Sequence, residues 1–464
     1  MTQLIQPRIL KGFRDYPPEL MIPRERLLET ARRVYRSYGF APIDTPVLEF
    51  TEILLKQGGE ETERQLFRFK HHDDDVAMRF DLTVPLARFS AMHVAKLGTP
   101  FKRYHMGPVW RGERPQKGRY REFWQCDFDI IGTLSNAADC ETALVIHDLM
   151  VGLGLEGFAH AEKPANRLER FEIRINNRLL LNGLLEEMGI ADKSVALLRT
   201  LDKLPKIGPD NVSKEMQEEA KVSLEQTGRV IALAALTGDN ADILDRVQRD
   251  FGGNAKVAEG VARLRELLAV TAMAGVPSAR IRIDLSICRG LDYYTGTIYE
   301  TFLIGTYTDA ESKEEKRLES FGSICSGGRY DNLASLYTKT VLPGVGASLG
   351  LDRLLAAMEE LGMLPKVATP APVFIVQFDA ARLGDYQRVA RLLRAAGIGA
   401  EVYPDAKKIG PQLAYAEKKG FAIALIAGTD EFAKGVWKVK HLASRTEVTV
   451  PEGDLLAGVN KLLH

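Results

Sequence analysis

Apolar positions at helical spacing run from Met21 to Tyr38, where Leu27, Leu28, Ala31, Val34 and Tyr35 recur on one face. They predict an amphipathic helix that stops at Gly39. The next segment, Phe40–Leu55, reads as extended, and Pro46 argues for an edge or a bend within it. Beyond the polar tip His71–Asp75, Val76–Leu86 reads as an apolar strand interrupted by Asp81 and Thr83. Polar residues inside such a strand need partners when buried. They read either as half of an ammonium site or as local turn bonds. Period two then marks Lys102–Arg111 and Glu122–Ile131 as two strands joined by the polar loop Gly112–Tyr120. On the second strand Gln125, Asp127 and Asp129 share one face, and Trp124, Cys126, Phe128 and Ile130 share the other. A helix is predicted over Ala137–Gly152 and a strand over Arg170–Asn176.

From Arg178 to about Ala274 the pattern is helical, with breaks at Lys206–Asn211 and Gly252–Asn254. Few aromatics and no chemical constellation fall there, so it reads as a helical insertion. Strand character returns at Arg280–Ile287, before a bend rich in polar tips at Cys288–Glu300, a charged tip at Asp309–Glu319, and Ser326–Asp331 (SGGRYD). Pro343–Met358 carries Gly344, Gly346 and Gly350, which superficially match a dinucleotide fingerprint. The third glycine is one position late and a proline precedes the first. These glycines read instead as thinning a buried strand-to-helix junction, with Arg353 projecting from the helix start. Leu364–Pro372 is a proline-punctuated linker. After it, strands and helices alternate as in a compact α/β domain with a largely parallel sheet.

Composition narrows the class. The chain has 464 residues, enough for two or three domains, with an apolar fraction of 45% and a charged fraction of 27%, as in ordinary soluble proteins. Its formal net charge is zero, so any nucleic-acid contact must come from local patches. One such patch is the hairpin: Lys102–Glu122 carries seven Lys/Arg against two acids, and Asp127 and Asp129 follow. A solvated strand face is the bland reading; a site for something zwitterionic or phosphorylated is the sharper one. The C-terminal domain has Lys407, Lys408, Lys418, Lys419, Lys434, Lys438 and Lys440, either a solvated surface or a second phosphate-tracking face. Four cysteines lie far apart without a CxxC pair, which argues against a disulfide framework or a cysteine zinc site. In the HHDDD stretch consecutive residues point different ways, so a solvated hairpin tip is preferred over a metal site. The N-terminus lacks a secretory pattern and no long apolar run suggests a membrane span; the expectation is a cytoplasmic protein with no membrane association.

Five segments in order carry a resemblance. Thr45-Pro46 after the long helix, Arg111-Gly112-Glu113 in the charged hairpin, and the glycine-rich run into Arg353 resemble motifs 1, 2 and 3 of class II aminoacyl-tRNA synthetases. Arg289–Gly296 (RGLDYYTG) and Ser326–Asp331 resemble the histidine signatures of the histidyl-tRNA synthetase family. Arg114–Phe123 (RPQKGRYREF) adds to the likeness, which runs from KGFRDYPP at Lys11 to the C-terminal domain.

The resemblance implies an α+β catalytic domain on an antiparallel six-stranded sheet, with a helical insertion and a C-terminal α/β anticodon-binding domain. The boundaries expected are 1–177 and 279–363 for the two parts of the catalytic core, 178–278 for the insertion, 364–372 for the linker and 373–464 for the last domain. It also implies a homodimer, with the motif 1 segment in its interface. By the same resemblance Arg111 holds the ATP α-phosphate and Glu113 the adenine end, while Phe123 and Arg353 stack on the adenine. Asp81, Thr83 and Gln125 take the α-ammonium of histidine. Asp129 and Tyr294 read the imidazole nitrogens, with Tyr293 and Tyr330 lining that pocket. Arg289 bridges the histidine carboxylate and the α-phosphate, and Arg114, Gln116 and Lys117 reach the tRNA acceptor end. The sequence departs in having Phe80-Asp81-Leu82-Thr83 where many members have Pro-Glu-Gly-Thr, and Asp129 where glutamate is common. Asp127 has no matching role.

The implied reaction forms histidyl-adenylate from L-histidine and ATP, then passes histidine to the 3′ end of tRNA(His). It calls for fixed positive charge where the pentavalent phosphorus develops, which planar guanidinium forks supply. Mg2+ is expected with the ATP phosphates, and no side chain is assigned to it directly. The alternative is a non-catalytic, histidine-sensing regulatory paralogue of a biosynthetic phosphoribosyltransferase. Such paralogues usually lack the C-terminal domain and have eroded arginines, whereas Arg111, Arg289 and Arg353 are present here.

Overall fold

The computed structural model describes residues 4–55, 60–287, 294–365 and 367–463. They form two compact units: one contains the chain up to Arg14 together with Leu27–Met363, the other Asp15–Arg26 and the chain from Leu364 onward.

The first unit is organised by six antiparallel strands: β1 (Phe101–Trp110), β2 (Glu122–Ile131), β3 (Arg167–Asn177), β4 (Thr297–Thr308), β5 (Cys325–Tyr330) and β6 (Gly344–Gly350). Their order across the sheet is β1-β2-β6-β5-β4-β3. Short strands extend this core to ten: Ala41–Pro42 runs parallel to β1 and Ile281–Ile283 parallel to β3. Helix α1 (Pro18–Ser37) carries the predicted stripe, and Leu27, Leu28, Ala31, Val34 and Tyr35 are all buried. Tyr35 packs its ring 5.1 Å from that of Phe128 and donates its hydroxyl to the Cys126 carbonyl at 2.9 Å. The apolar face of β2 is thus covered by α1, which leaves the Gln125/Asp127/Asp129 face for the site.

Three elements differ from the sequence expectation. The strand expected over Val76–Leu86 ends at Met78, and helix α2 (Thr83–Leu97) follows. Asp81 makes this change of direction: its Oδ1 accepts from the backbone N–H groups of Thr83 and Val84 at 3.1 and 2.9 Å. The free N–H groups of a helix start outweigh the apolar strand pattern. Phe40–Leu55 is extended only in part, because Thr51–Leu55 is helical; its strand Leu48–Phe50 pairs on one side alone, the edge position that Pro46 suggested. The strand expected over Arg280–Ile287 is confined to Ile281–Ile283.

Six α-helices fill Arg178–Met273, with the expected break at Gly252–Asn254. At Lys206–Asn211 the chain kinks within one helix, Leu204–Ala220, because Gly208 takes a φ of 78° that the following Pro209 accommodates. The turn near 221–223, unmarked by glycine or proline, is set by a capping box between Ser223 and Gln226.

The second unit contains β7 (Val373–Ile375), β8 (Ala400–Val402), β9 (Ile423–Ile426), β10 (Val436–His441) and β11 (Glu447–Pro451), ordered β8-β7-β9-β10-β11. Only β8, β7 and β9 are parallel; β10 and β11 are antiparallel, so the largely parallel sheet is corrected to a mixed one. Long helices Leu383–Ala395 and Ile409–Lys419 provide the parallel crossovers. The short helix Thr429–Lys434 is too little chain for another one.

Candidate active site

The hairpin β1–β2 pairs symmetrically about its loop, placing Arg103 opposite Asp129, His105 opposite Asp127, and Gly107 opposite Gln125. On its other edge β2 faces β6, with Gln125 opposite Gly350, Asp127 opposite Ser348 and Asp129 opposite Gly346. Directly paired residues share a face, so the row Arg103–Asp129 and the row His105–Asp127–Ser348 lie side by side. Gly346 is required there: a Cβ would stand 2.4 Å from Asp129 Oδ1 and 2.2 Å from the Phe128 carbonyl oxygen.

Above this floor opens a cleft lined by Arg111, Glu113, Arg119, Phe123, Gln125 and Arg353, among others, enclosing about 670 Å³ with its open mouth. That is within the range of small-molecule sites. The Arg111 guanidinium lies 4.3 Å from the ring centre of Phe80 and 5.2 Å from that of Phe123. Its Nε donates to the Phe80 carbonyl at 3.1 Å, and Nη1 is 4.0 Å from Glu113. Arg353 sits in the first turn of helix α3 (Leu351–Leu361) and its Nη1 donates to the Ser323 carbonyl. Asp352 next to it accepts from the Trp124 backbone N–H at 2.7 Å, pinning the helix start to β2. Gln125 Nε2 donates to Ser348 Oγ at 3.1 Å; among the described residues its Oε1 has no partner.

The second half of the site is closed over by protein. Asp81, Asp129 and Tyr330 are each buried, and Tyr330 donates its hydroxyl to Asp129 Oδ1. The other oxygen, Oδ2, is 2.6 Å from Nη2 of Arg103, itself wholly buried. This contact is an ion pair without an aligned hydrogen bond. Burial pushes Asp129 above its ordinary value, while the Arg103 charge and the Tyr330 hydroxyl pull it back. Asp81 is likewise raised by burial, against the N–H of Val84 and the charge of Arg111. Asp127 is pushed up to about 7 by burial, with Arg103 opposing and Asp129 adding. His105 goes the other way, to about 3, through burial and the nearby Arg103 and Arg79, so its ring is neutral near pH 7. The Tyr294 hydroxyl is raised by burial and then by Asp129, Asp127 and Asp81, which places it at the same cluster.

The residues expected at the site therefore fall into two groups. Arg111, Glu113, Phe123, Gln125 and Arg353 line the open cleft. Asp81, Asp129 and Tyr330 form the buried cluster beside it, with the half-buried Tyr294 against it and Thr83 opening α2 just after Asp81. Arg289 and Tyr293 lie outside the described residues. Arg114, Gln116 and Lys117 are exposed on the hairpin loop. Gln116 and Arg119 close its tip by mutual backbone hydrogen bonds, with Gly118 at a φ of 72°. Lys117 is already engaged, 2.5 Å from Glu360 and 3.8 Å from Asp309. Sequence reasoning missed Arg103, Arg119, Ser348 and Asp352. A symmetric register counted outward from the loop would have set Arg103 against Asp129.

Comparisons with known proteins give the same direction throughout. The family described as Histidyl-tRNA synthetase matches residues 12–354, and the Anticodon binding domain matches 373–462. A histidine–tRNA ligase of Rhodopirellula baltica is 54% identical over 443 residues, covering 95% of each chain. That of Wolinella succinogenes is 43% identical, covering 95% of this chain and 94% of its own. The crystal structure of histidyl-tRNA synthetase from Nostoc sp. PCC 7120 superimposes with a TM-score of 0.84 at 32% identity, over 99% of this chain and 100% of that one. An ATP phosphoribosyltransferase regulatory subunit/histidyl-tRNA synthetase from Bacillus halodurans C shares the fold, with a TM-score of 0.69 at 21% identity, over 90% of this chain and 98% of that one.

Proposed function

The chain belongs to the histidyl-tRNA synthetase family, and from that premise we propose how its residues divide the work of ligating histidine to tRNA. The observation that carries the assignment is the pairing of an open, arginine-bearing cleft with a buried carboxylate cluster on one β-sheet face. ATP occupies the cleft, with Arg111 on the α-phosphate, Glu113 at the adenine end, and Phe123 and Arg353 on the adenine faces. Histidine occupies the cluster: Asp81, Thr83 and Gln125 take its ammonium, Asp129 and Tyr294 its ring nitrogens, and Tyr293 and Tyr330 line the pocket. The unshared Oε1 of Gln125 supports the ammonium assignment, since a buried acceptor without a donor is costly.

In the first step a carboxylate oxygen of histidine bonds to the α-phosphorus and the bond to the pyrophosphate oxygen breaks. In the second, the terminal hydroxyl of tRNA(His) bonds to the histidyl carbonyl carbon and AMP leaves. Arg111 and Arg289 offset the charge on the phosphorus centre; positioning and electrostatics carry such a reaction without a dedicated side-chain base. Among the described residues no cluster of three or more His, Cys, Asp or Glu is arranged to hold a metal. Mg2+ would be carried in with the ATP phosphates, where it would supply charge neutralisation. Arg114, Gln116 and Lys117 face the acceptor end, Lys117 exchanging its carboxylate partners for phosphate, and the C-terminal domain binds the anticodon. No described helix is long and apolar enough to cross a membrane. The cytoplasm is the compartment we propose, on the chain's likeness to histidine–tRNA ligases.

Purified protein is expected to exchange pyrophosphate into ATP only when histidine is added, and then to charge tRNA(His). Arg289→Ala abolishes exchange while histidine still binds. Absence of exchange by the wild-type protein would return the chain to the regulatory reading.

A homodimer is proposed from the apolar surface around motif 1. Leu48, Phe50, Phe69 and Met92 are all more than 40% exposed, on and beside a three-stranded sheet whose outer strands are Leu48–Phe50 and Arg68–His71. A cluster of this kind marks an interaction surface. Sedimentation at micromolar concentration should give twice the chain mass, and Phe50→Glu should halve it; a monomeric wild type rejects the interface.

A further inference from the structure

Arg103 is a charge on the site floor that neither the reaction nor the ATP cleft uses. It is fully buried, and apart from its ion pair with Asp129 its Nε and Nη1 make no hydrogen bond among the described residues. Burying an arginine so poorly satisfied is expensive unless its charge is needed. Three buried carboxylates crowd it: Asp129 directly opposite on β2, Asp127 one pair along, and Asp81 at the start of α2. Its field lowers all three, yet only Asp129 touches it.

We infer that Arg103 is a positioning residue for histidine selection: it holds Asp129 ionised and fixes one carboxylate oxygen, while Tyr330 fixes the other, so that the remaining lone pairs meet the substrate ring. This rests on Asp129 being the residue that reads the imidazole. The aspartate is one methylene shorter than glutamate, and a cation from the neighbouring strand supplies its charged partner. Gly346 keeps the opposite side clear. The other groups facing Asp129 are Tyr330, Tyr294, Asp81 and Asp127, with His105 near Arg103 and in turn near Arg79 and Asp44.

The test measures pyrophosphate exchange by the full-length protein and its variants across pH. Arg103→Met is expected to raise KM for histidine by about 30-fold or more, the lower end for truncating one partner of a buried charge pair. KM for ATP should change by less than about threefold, because Arg103 is not part of the cleft. The variant-to-wild-type ratio of histidine KM should fall from about pH 6 to about pH 9, since Asp129 without its cation ionises only at higher pH. The histidine ring titrates alike in both assays and cancels in the ratio. In Arg103→Met/Asp129→Asn the two losses should not add. If Arg103→Met does not fold, Arg103→Lys decides: histidine KM raised several-fold with ATP KM unchanged supports the role, and both unchanged overturns it. A folded Arg103→Met with normal histidine KM, an equal rise for both substrates, or a flat pH ratio also overturns it. An Asp129→Asn variant with normal histidine KM would instead overturn the reading of Asp129 beneath it.

Discussion

Replacing Arg111 by alanine is expected to lower the rate of histidine-dependent pyrophosphate exchange by about 10²–10³, the usual loss for one preorganised group facing a transition-state charge. The size follows from how the side chain is held. Its guanidinium lies between the rings of Phe80 and Phe123, and its Nε is taken by the Phe80 carbonyl. Its freedom is therefore spent before ATP arrives, and among the described residues only the long contact of Nη1 with Glu113, at 4.0 Å, has to yield to phosphate. An interaction that strengthens only as phosphorus becomes pentavalent should lower kcat and kcat/KM together. Arg111→Lys keeps the charge but loses the fork and the stacking, and should fall between the two. Exchange within threefold of wild type in the alanine variant would remove Arg111 from the α-phosphate.

Most of the frame behind that prediction was legible in the sequence. The hairpin strands, the long first helix, the glycine-thinned junction before Arg353 and the sheet face of Gln125 and Asp129 follow from apolar periodicity, which burial enforces directly. What escaped lay where local chemistry competes with periodicity. Asp81 sits in a run that alternates like a strand, but its carboxylate captures two backbone N–H groups and turns the chain into a helix. The parallel pattern of the C-terminal sheet fails at β10 because the chain returns by a hairpin.

The site was legible by type and not by partnership. Sequence placed Arg111, Glu113, Phe123 and Arg353 with ATP by resemblance, and the cleft brings these four together; Gln125, expected with Asp81 and Thr83 on the histidine ammonium, lines the same cleft. It gave no account of Arg103, because a basic residue in a basic stretch carries no mark of being buried. Nor did it foresee that Lys117, exposed and cationic, is held by Glu360 from the far end of α3. That pairing joins residues over two hundred positions apart and depends on the assembled sheet.

Asp127, the carboxylate without a family role, yields the second large effect. Asp127→Asn is expected to stabilise the protein at pH 8 by about 2–4 kcal/mol and to have little effect near pH 4. Burial raises its folded value to about 7 from an ordinary 3.8, roughly three units at about 1.4 kcal/mol each. For a carboxyl raised on folding, the native state holds the proton more tightly than the unfolded chain. Its contribution is therefore most favourable below about pH 4, and is lost as pH rises to about 7, where the buried group must ionise. The asparagine never ionises, so its advantage grows over the same window and then levels off. Urea unfolding of both proteins from about pH 4 to about pH 8.5 measures this difference. A gain independent of pH would mean that folding does not raise the Asp127 carboxyl, and a loss at pH 8 would mean that it is ionised and usefully paired in the folded chain. The proton also bears on the neighbouring pair. A neutral Asp127 adds no charge beside Asp129 and draws nothing from Arg103, which is left to the carboxylate it touches. Above about pH 7 the two aspartates compete for it, and the advantage of the amide at Asp127 is greatest there.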